Sequence, residues 1–592
     1  METYFILPFT LGMLFLLIVL FIKYGLWITK LSHIDKLRIV QSIFTRRSWD
    51  AIKESFMEGL VHRNMYKRNP LLGYMHMCFA MGWFLLIVFG HVESYMYYGT
   101  LAKAPWYPIF FQYYVHDWFP GERFMTNLMD FLLLYILSGV LLAYFKRINS
   151  KIFGIKKTTK LKPLDRVALI SLWFIFPLRL LAESATAALY GNGGFLTNTV
   201  GQLFVWIGVN SSIESLLWWA YSLSLGLFFV GLPFSRYMHI LTEILFIFLR
   251  HYGIKLKKQF NSYSRIQVYS CSRCGVCIDV CQMHVANISN NQSVYILKNI
   301  RDQNLTDRKL YNCLLCGRCE QACPVRINLN DLRISQRIRA TKEFNSDYAF
   351  LQTLPVEEPQ MIDSKPEVIY FAGCMTHMTP GIKKSVLKVL DKAGVKYQFM
   401  DKEKGACCGR PLMLAGQYEA AKKLIAYNRE KILESRAPIL LVSCPICYKV
   451  FKDDYELGQI TIKHHSEYFL ELVNQGRIQL AQSKKTIVYH DPCELGRGCG
   501  VYEPPRELLR MTGQLQSVQQ EKVNSLCCSG SLGDLSLSMA DRNVIKAETL
   551  KVLLQKNPDV LATACPLCKK TFVKGVDVQV KDIAEIVAEA ME

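Results

Sequence analysis

Nineteen of the twenty cysteines of this chain follow residue 270, at spacings typical of ligands for iron and sulfide. Two four-cysteine runs come first, each with the pattern C-x-x-C-x-x-C-x-x-x-C. The runs are Cys271, Cys274, Cys277 and Cys281, then Cys313, Cys316, Cys319 and Cys323. In proteins with two such runs, the fourth cysteine of each run ligates the cluster of the other run. The sequence therefore predicts two cubane 4Fe-4S clusters, with Cys323 and Cys281 exchanged between them.

The residues after the two runs differ. Pro324 follows the second run, as is usual, whereas Gln282 stands where the first run would have a proline. Because proline is not a ligand, this departure should cost the site little. Zinc is the alternative occupant, although all-cysteine zinc sites usually consist of two separated C-x-x-C pairs.

A five-cysteine set then occurs twice, at a period of about 120 residues. The sets are Cys374, Cys407, Cys408, Cys444 and Cys447, then Cys493, Cys527, Cys528, Cys565 and Cys568. A vicinal cysteine pair in a glycine-bearing turn can place two thiolates at one cluster, so we expect one or two further clusters here. Ser529 is inserted in the second turn, and the alternative is one catalytic site beside a structural zinc or cubane.

Short apolar runs precede the first cysteine and the closing pair of each set, and the stretches between them have helical periodicity. This alternation predicts two small α/β units with parallel sheets and cysteines at the strand ends.

Five apolar stretches predict transmembrane helices, near 4–22, 71–92, 125–145, 167–190 and 215–234. We expect the fifth to continue as a helix to about residue 250. Segments 23–70 and 146–166 are rich in Lys and Arg, whereas 191–214 has none and 93–124 has only Lys103 and Arg123. The positive-inside rule then places the N-terminus outside and everything after residue 250 in the cytoplasm. The net charge of +21 fits this topology better than nucleic-acid binding.

Histidines in the spans predict a haem site. His76 and His239 lie toward the inner ends of the second and fifth helices, and paired imidazoles are typical ligands of b-type haem. The alternative is that each histidine caps a helix or hydrogen-bonds a neighbour. His91 lies about 22 Å further along the second helix, where a second haem would fit, but the outer part of the fifth span has no histidine. His116 and His251 are spare candidates, and we favour one haem.

Arg179 and Glu183 lie four residues apart in the fourth span and so share a helix face. They predict either a haem-propionate or quinone contact, or an ion pair that neutralises itself. Asp130 in the third span is a weaker candidate of the same kind.

These motifs resemble the catalytic iron–sulfur subunit of heterodisulfide reductase, which has two C-x-x-C-x-x-C-x-x-x-C runs followed by two CCG-type cysteine-rich domains. The membrane half is similar to the cytochrome b subunits that accompany it, akin to the gamma subunit of respiratory nitrate reductase. The segment LPFSRYMHI resembles that family's last span, with His239 as the inner-haem ligand and His76 as its mate. Two-haem members have a histidine where this chain has Tyr221. The resemblance implies noncubane 4Fe-4S clusters in the five-cysteine sets.

Fused chains of this shape also resemble membrane electron-transfer-flavoprotein:menaquinone oxidoreductases. The resemblance implies electron exchange between a cytoplasmic partner, electron transfer flavoprotein, and menaquinone. The alternatives are a quinol-linked disulfide reductase and a relay subunit of a larger dehydrogenase complex. No G-x-G-x-x-G flavin or nucleotide fingerprint occurs, so a partner must supply hydride chemistry.

The expected fold is therefore multidomain. It comprises a five-helix transmembrane bundle (1–255), a helical two-cluster ferredoxin-like domain (256–345), and two tandem α/β cysteine-rich domains (366–480 and 485–592).

Overall fold

The computed structural model describes residues 4–100, 106–154, 159, 161–340, 349–356 and 365–591. Lys103, three lysines of the second basic loop (Lys156, Lys157, Lys160) and the end of the predicted ferredoxin-like domain (341–345) lie outside these residues. The chain forms two compact units. Unit 1 comprises 1–257, 261–279 and 323–327, and unit 2 comprises 258–260, 280–322 and 328–592.

Five helices of unit 1 are long and apolar enough to cross a membrane, as predicted. They are α1 (Tyr4–Thr29), α2 (Pro70–Tyr98), α3 (Glu122–Ile148), α4 (Pro163–Tyr190) and α5 (Ser211–Phe234). The shorter helices of unit 1 are His33–Ser42, Arg46–Ser55, Arg63–Arg68, Phe111–Tyr114, Phe195–Trp206, Ser262–Tyr269 and Val276–Asp279.

The expectation that α5 runs unbroken to residue 250 is wrong. The helix turns into two short 3-10 turns, Leu232–Phe234 and Arg236–Met238, and a separate helix, α6 (His239–His251), follows. Pro233 lacks an amide hydrogen and Ser235 is extended (φ −94°, ψ −179°), so the helical hydrogen bonds cannot continue. His239 therefore begins a helix instead of lying within one.

Unit 2 contains two four-stranded, all-parallel sheets, as predicted. The first sheet has the order β2-β1-β3-β4 and the second has the same order, β6-β5-β7-β8. The strands are β1 (Val368–Phe371), β2 (Tyr397–Phe399), β3 (Ile439–Val442), β4 (Thr461–His464), β5 (Thr486–His490), β6 (Gln514–Gln516), β7 (Val560–Thr563) and β8 (Gln579–Asp582). Strands β1 and β7 are wholly buried, as expected of parallel strands covered on both faces.

Helices flank both sheets, and further helices lie within the iron–sulfur segment of unit 2. Those of the first sheet are Cys374–His377, Pro380–Lys392, Arg410–Ala415, Tyr418–Glu434, Pro445–Asp454 and His465–Asn474. Those of the second sheet are Gly496–Cys499, Glu503–Thr512, Met539–Leu553, Pro566–Val573 and Ile583–Ala590. The iron–sulfur segment of unit 2 contains Ser293–Arg301, Asp307–Tyr311, Arg318–Gln321 and Leu329–Ala340.

Candidate iron–sulfur and haem sites

The two predicted cubane sites fall in different units, each with its exchanged cysteine. Cys271, Cys274 and Cys277 belong to unit 1, and the chain returns to unit 1 at Cys323. Burial raises the pKa of the Cys323 thiol to about 12, and the neighbouring Cys274 and Cys271 add to that effect. Buried thiols this close together need a cationic group to remain deprotonated, and an iron–sulfur core is such a group. The grouping therefore fits the predicted ligand exchange.

The second set lies in unit 2 around the helix Arg318–Gln321. Burial raises the pKa of the Cys281 thiol to about 12, and the nearby Cys313 and Cys316 contribute. Two further groups donate toward sulfur, as is common around iron–sulfur clusters. The Ser293 hydroxyl lies 3.1 Å from the Cys319 sulfur, and the Leu315 amide lies 3.4 Å from the sulfur of Cys313.

Gln282 has a structural role that the sequence did not indicate. Its side-chain oxygen accepts a hydrogen bond from the Cys527 amide at 2.6 Å, and its nitrogen donates to the Thr549 hydroxyl at 3.1 Å. The glutamine is 2% exposed, so both bonds form away from water. The residue in place of proline thus fastens the second vicinal cysteine pair to the ferredoxin-like segment.

The first five-cysteine set gathers at the carboxyl ends of β1 and β3. Cys374 follows β1, and Cys444 and Cys447 follow β3. The Cys408 and Cys447 thiols are hydrogen-bonded to each other. Gly373 has a φ of +78°, and a Cβ there would lie 3.1 Å from the Cys447 sulfur. A glycine that the sequence reading did not single out therefore lets the backbone approach these sulfurs.

The second set repeats this arrangement after β5 and β7. The sulfurs of Cys528 and Cys568 are 3.3 Å apart, and the Cys527 thiol is hydrogen-bonded to Cys493. Ser529 has a φ of +68°, close to the +83° of Gly409 in the first set. The serine therefore takes the left-handed position of Gly409 directly after the cysteine pair, so the two turns match despite the apparent insertion.

Two thiol contacts join the three sites of unit 2 into a series. The Cys527 thiol donates a hydrogen bond to Cys316, which together with nearby arginines lowers the pKa of Cys316 to about 5. The Cys565 thiol donates to Cys444, which helps to hold the pKa of Cys444 well below its usual value. The order is therefore ferredoxin-like site, second cysteine-rich site, first cysteine-rich site.

The ligand arrangement suits clusters better than single ions. Within the described ranges, no three His, Cys, Asp or Glu side chains are spaced to hold one metal ion. Each set contains at least the four cysteines that a 4Fe-4S cluster requires.

A narrow cavity in unit 1 contains both predicted haem ligands. His76 and His239 line it together with His62, Glu58 and Glu243. The space is about 20 Å³, so a porphyrin would require the lining side chains to move apart. His62, whose ring lies 5.4 Å from that of His76, has a strained left-handed backbone (φ +54°).

The two histidines are oriented as haem ligands usually are. His76 Nδ1 lies 2.7 Å from the Leu72 carbonyl, and His239 Nδ1 lies 2.8 Å from the Arg236 carbonyl. A backbone carbonyl at Nδ1 places the proton there and makes Nε2 the ligating nitrogen. The donor set thus fits a b-type haem.

The remaining histidines are placed elsewhere. His91 is exposed on α2 and bonds to the Ile87 carbonyl. His116 stacks on Tyr190 at 3.7 Å between ring centroids, and His251 pairs with Glu54 at 2.6 Å. The structure brings none of the three to the cavity of His76 and His239.

Arg179 and Glu183, predicted either to contact a haem propionate or quinone or to pair with each other, lie 2.9 Å apart as an ion pair, and both are buried in α4. Glu93 is a buried carboxylate that the sequence reading missed, because the predicted second span ends one residue before it. One of its oxygens accepts from Gln112 at 3.1 Å, and the other has no partner within the described part of the chain.

Asp130 accepts from the amides of Leu196 and Thr197, and so caps the helix Phe195–Trp206.

Comparisons with known proteins agree with the iron–sulfur sites. Residues 368–452 and 487–573 each match the cysteine-rich domain family, and residues 267–327 match the 4Fe-4S dicluster domain family. The chain is related to iron–sulfur oxidoreductases. It is 29% identical to one component of the dihydromethanophenazine:CoB–CoM heterodisulfide reductase of Methanosarcina acetivorans, over 56% of this chain and 96% of the relative.

Two further relatives span the membrane half as well. The EtfAB:quinone oxidoreductase of Syntrophomonas wolfei is 21% identical, with 92% of this chain and 91% of the relative covered. The probable iron–sulfur-binding oxidoreductase FadF of Bacillus subtilis is 22% identical, with 89% and 91% covered. Both similarities extend over nearly the whole chain, whereas that to the heterodisulfide reductase component covers little more than half.

Proposed function

We propose that this chain is a membrane-bound oxidoreductase that passes electrons between a cytoplasmic redox partner, electron transfer flavoprotein, and the menaquinone pool. The observation that carries the proposal is the series of thiol contacts in unit 2, from Cys316 to Cys527 and from Cys565 to Cys444. Iron–sulfur clusters and a b-type haem supply one-electron transfer when they are bound. The near full-length similarity to an EtfAB:quinone oxidoreductase supports the choice of partners.

The residues of unit 1 suit the membrane end of such a route. His76 and His239 would hold the haem, and Ser272, Pro324 and Val325, beside cluster ligands, line the same cavity. Arg179 and Glu183 are candidate contacts for the quinone or a haem propionate, since a quinone requires polar groups within the apolar bundle. We place the N-terminus outside and the iron–sulfur segments in the cytoplasm, on the distribution of Lys and Arg.

A quinol-linked disulfide reductase is the second candidate. The similarity to the heterodisulfide reductase component favours it, because 96% of that component is covered by this chain. In that case a small disulfide, and not a flavoprotein, would react at the cysteine-rich sites.

One titration tests the proposal. The full chain is purified anaerobically in mild detergent and reduced with a menaquinol analogue, with the haem followed optically and the clusters by EPR. We expect both to be reduced, and then to be reoxidised by oxidised electron transfer flavoprotein. Reoxidation by a disulfide alone would favour the second candidate. Absence of exchange between haem and clusters would contradict both.

The haem assignment is tested by single substitutions in the same preparation. We expect His76→Ala and His239→Ala each to abolish the haem bands, because each removes an axial ligand. His91→Ala is the matched control on the same helix and should retain them. Loss of half the haem in His91→Ala would reveal a second haem and contradict the one-haem proposal.

A further inference from the structure

The turns after the first cysteine of the two cysteine-rich domains differ in what they contact. In the second domain, Arg497 follows Cys493 and donates to the Cys316 carbonyl at 2.7 Å and the Ser525 carbonyl at 2.8 Å. That turn is thus fastened to the ferredoxin-like segment. In the first domain, the matching turn ends in His377 and Met378, and Met378 is 59% exposed.

The position of the first domain in the thiol series explains the difference. Cys444 of the first domain contacts Cys565 of the second domain. The contact with Cys316 of the ferredoxin-like segment is made by Cys527 of the second domain. The first domain is therefore the outer end of the series. Cys374, at its open turn, is partly exposed, whereas Cys407, Cys408, Cys444 and Cys447 are buried.

Lysines surround this open turn. Lys383 Nζ lies 3.3 Å from His377 Nδ1, and Lys570 Nζ lies 3.5 Å from the Met378 sulfur. Lys402 and Lys404 are exposed on the loop that reaches Gly405, where a Cβ would lie 3.1 Å from the Cys374 Cα. Lys384 is exposed near the start of the helix Pro380–Lys392, which follows the turn. We call Lys383, Lys384, Lys402, Lys404 and Lys570 the lysine rim.

The segment that follows the first cysteine carries more positive charge in the first domain than in the second. Residues 377–404 contain seven lysines and three acidic residues, and one of those acids, Asp401, is wholly buried beside His377. The matching residues 496–524 contain four basic and three acidic residues. The repeat therefore keeps its cysteines in both domains, but this segment has the larger positive excess in the first domain.

We propose that the lysine rim and Met378 form the docking surface for an acidic redox protein. A surface with an apolar centre and a charged edge matches the usual anatomy of a transient protein interface, and the positive charge selects a negative partner. An electron carrier must approach a cluster closely, and only the open turn at Cys374 offers such an approach at this end of the series, within the described part of the chain. The inference rests on the proposed function and adds to it the place where the partner binds.

The test measures binding of the source organism's electron transfer flavoprotein to the cluster-loaded full chain in detergent. The rim variant carries Lys384→Glu, Lys402→Glu and Lys404→Glu, and its EPR spectrum verifies that the clusters are intact. The control carries Lys484→Glu, Lys485→Glu and Lys556→Glu, three exposed lysines of the second domain, so that both variants have the same net charge. The dissociation constant is measured from about 20 to 300 mM salt, a range over which screening changes strongly.

We expect the rim variant to bind at least about tenfold more weakly at low salt, with a shallower salt dependence, and the control to change by less than about twofold. If the wild type binds and exchanges electrons but the rim variant binds equally well, the docking proposal is overturned and the proposed function stands. If the wild type exchanges electrons with menaquinol but never binds the flavoprotein, the proposed partner is wrong and the docking proposal falls with it.

Discussion

Gln282 shows how one side chain can couple two cofactor sites. Its amide group bonds both the Cys527 backbone and Thr549, and neither bond is exposed to water. We expect Gln282→Ala to cost about 1–3 kcal/mol, because it leaves a buried amide hydrogen without an acceptor. The variant should therefore lose iron to a chelator faster than the wild type.

The chelator assay has a matched control in Gln519→Ala, which changes an exposed glutamine of the same region. Loss of iron from the control should equal that of the wild type. Equal rates in both variants would show that the bond to Cys527 does not stabilise the second cysteine-rich site. The sequence alone suggested no role for Gln282, because its hydrogen-bond partner lies 245 residues away.

Ser529 is a second residue whose structural role was not predictable from the sequence. Alignment of the two turns by their glycines makes the serine an insertion, but its backbone takes the left-handed conformation of Gly409. A left-handed serine costs roughly 1 kcal/mol, and the bond from its hydroxyl to the Arg542 carbonyl at 2.8 Å offsets this cost. The residue types of the two turns differ at this position, but their backbone conformations are equivalent.

The predicted exchange of cysteines between the two runs depends on whole elements, since the fourth cysteine of each run lies in the same unit as the first three cysteines of the other run. Cys323 returns to the unit of Cys271, and Cys281 to that of Cys313. We expect Cys323→Ser to remove the cluster of Cys271 and Cys281→Ser to remove that of Cys313. Mössbauer or EPR spectra of the two variants should therefore lose different signals.

The haem gives an internal check on this assignment. The cavity of His76 and His239 is lined by Pro324 and Val325, which directly follow Cys323. Cys323→Ser should therefore perturb the haem spectrum, and Cys281→Ser should leave it unchanged. The opposite result would mean that each run holds its own cluster.

Elements that depend on local pattern were predictable, and those that depend on distant partners were not. The five spans follow from about twenty apolar residues each, and the two parallel sheets follow from a repeat of buried strands. The break after α5 lies at Pro233, which lacks the amide hydrogen that a continuing helix requires. Glu93 was missed because the predicted span ended at residue 92, whereas the helix continues to Tyr98.

The thiol series of unit 2 requires that the ferredoxin-like segment and the two cysteine-rich domains keep their relative positions. The contacts from Cys527 to Cys316 and from Cys565 to Cys444 each join different segments of the chain. Electron transfer through such a series requires short distances between neighbouring sites. Residues that hold these segments together therefore also maintain those distances. Sequence motifs locate the cysteines but do not show which residue holds the segments in place.

Arg337 contacts all three segments. It is fully buried, and its guanidinium donates to three backbone carbonyls. The Leu310 carbonyl of the ferredoxin-like segment accepts at 3.2 Å. The carbonyls of Leu414, in the first cysteine-rich domain, and of Gly533, in the second, each accept at 2.6 Å. Burial lowers its pKa to about 10, so it remains charged at neutral pH. Five donors in one plane can bond three separate carbonyls, which an ammonium group cannot do in the same geometry.

We expect Arg337→Leu to destabilise unit 2 by about 3–5 kcal/mol, because three buried carbonyls lose their donors at once. Arg337→Lys keeps the charge but not the fork, and should restore only part of that loss. Urea unfolding of the full chain gives the size of the effect, and limited proteolysis tests its origin, since cleavage between the two cysteine-rich domains should become faster. If Arg337→Lys matches the wild type in both assays, charge and not geometry holds the segments together.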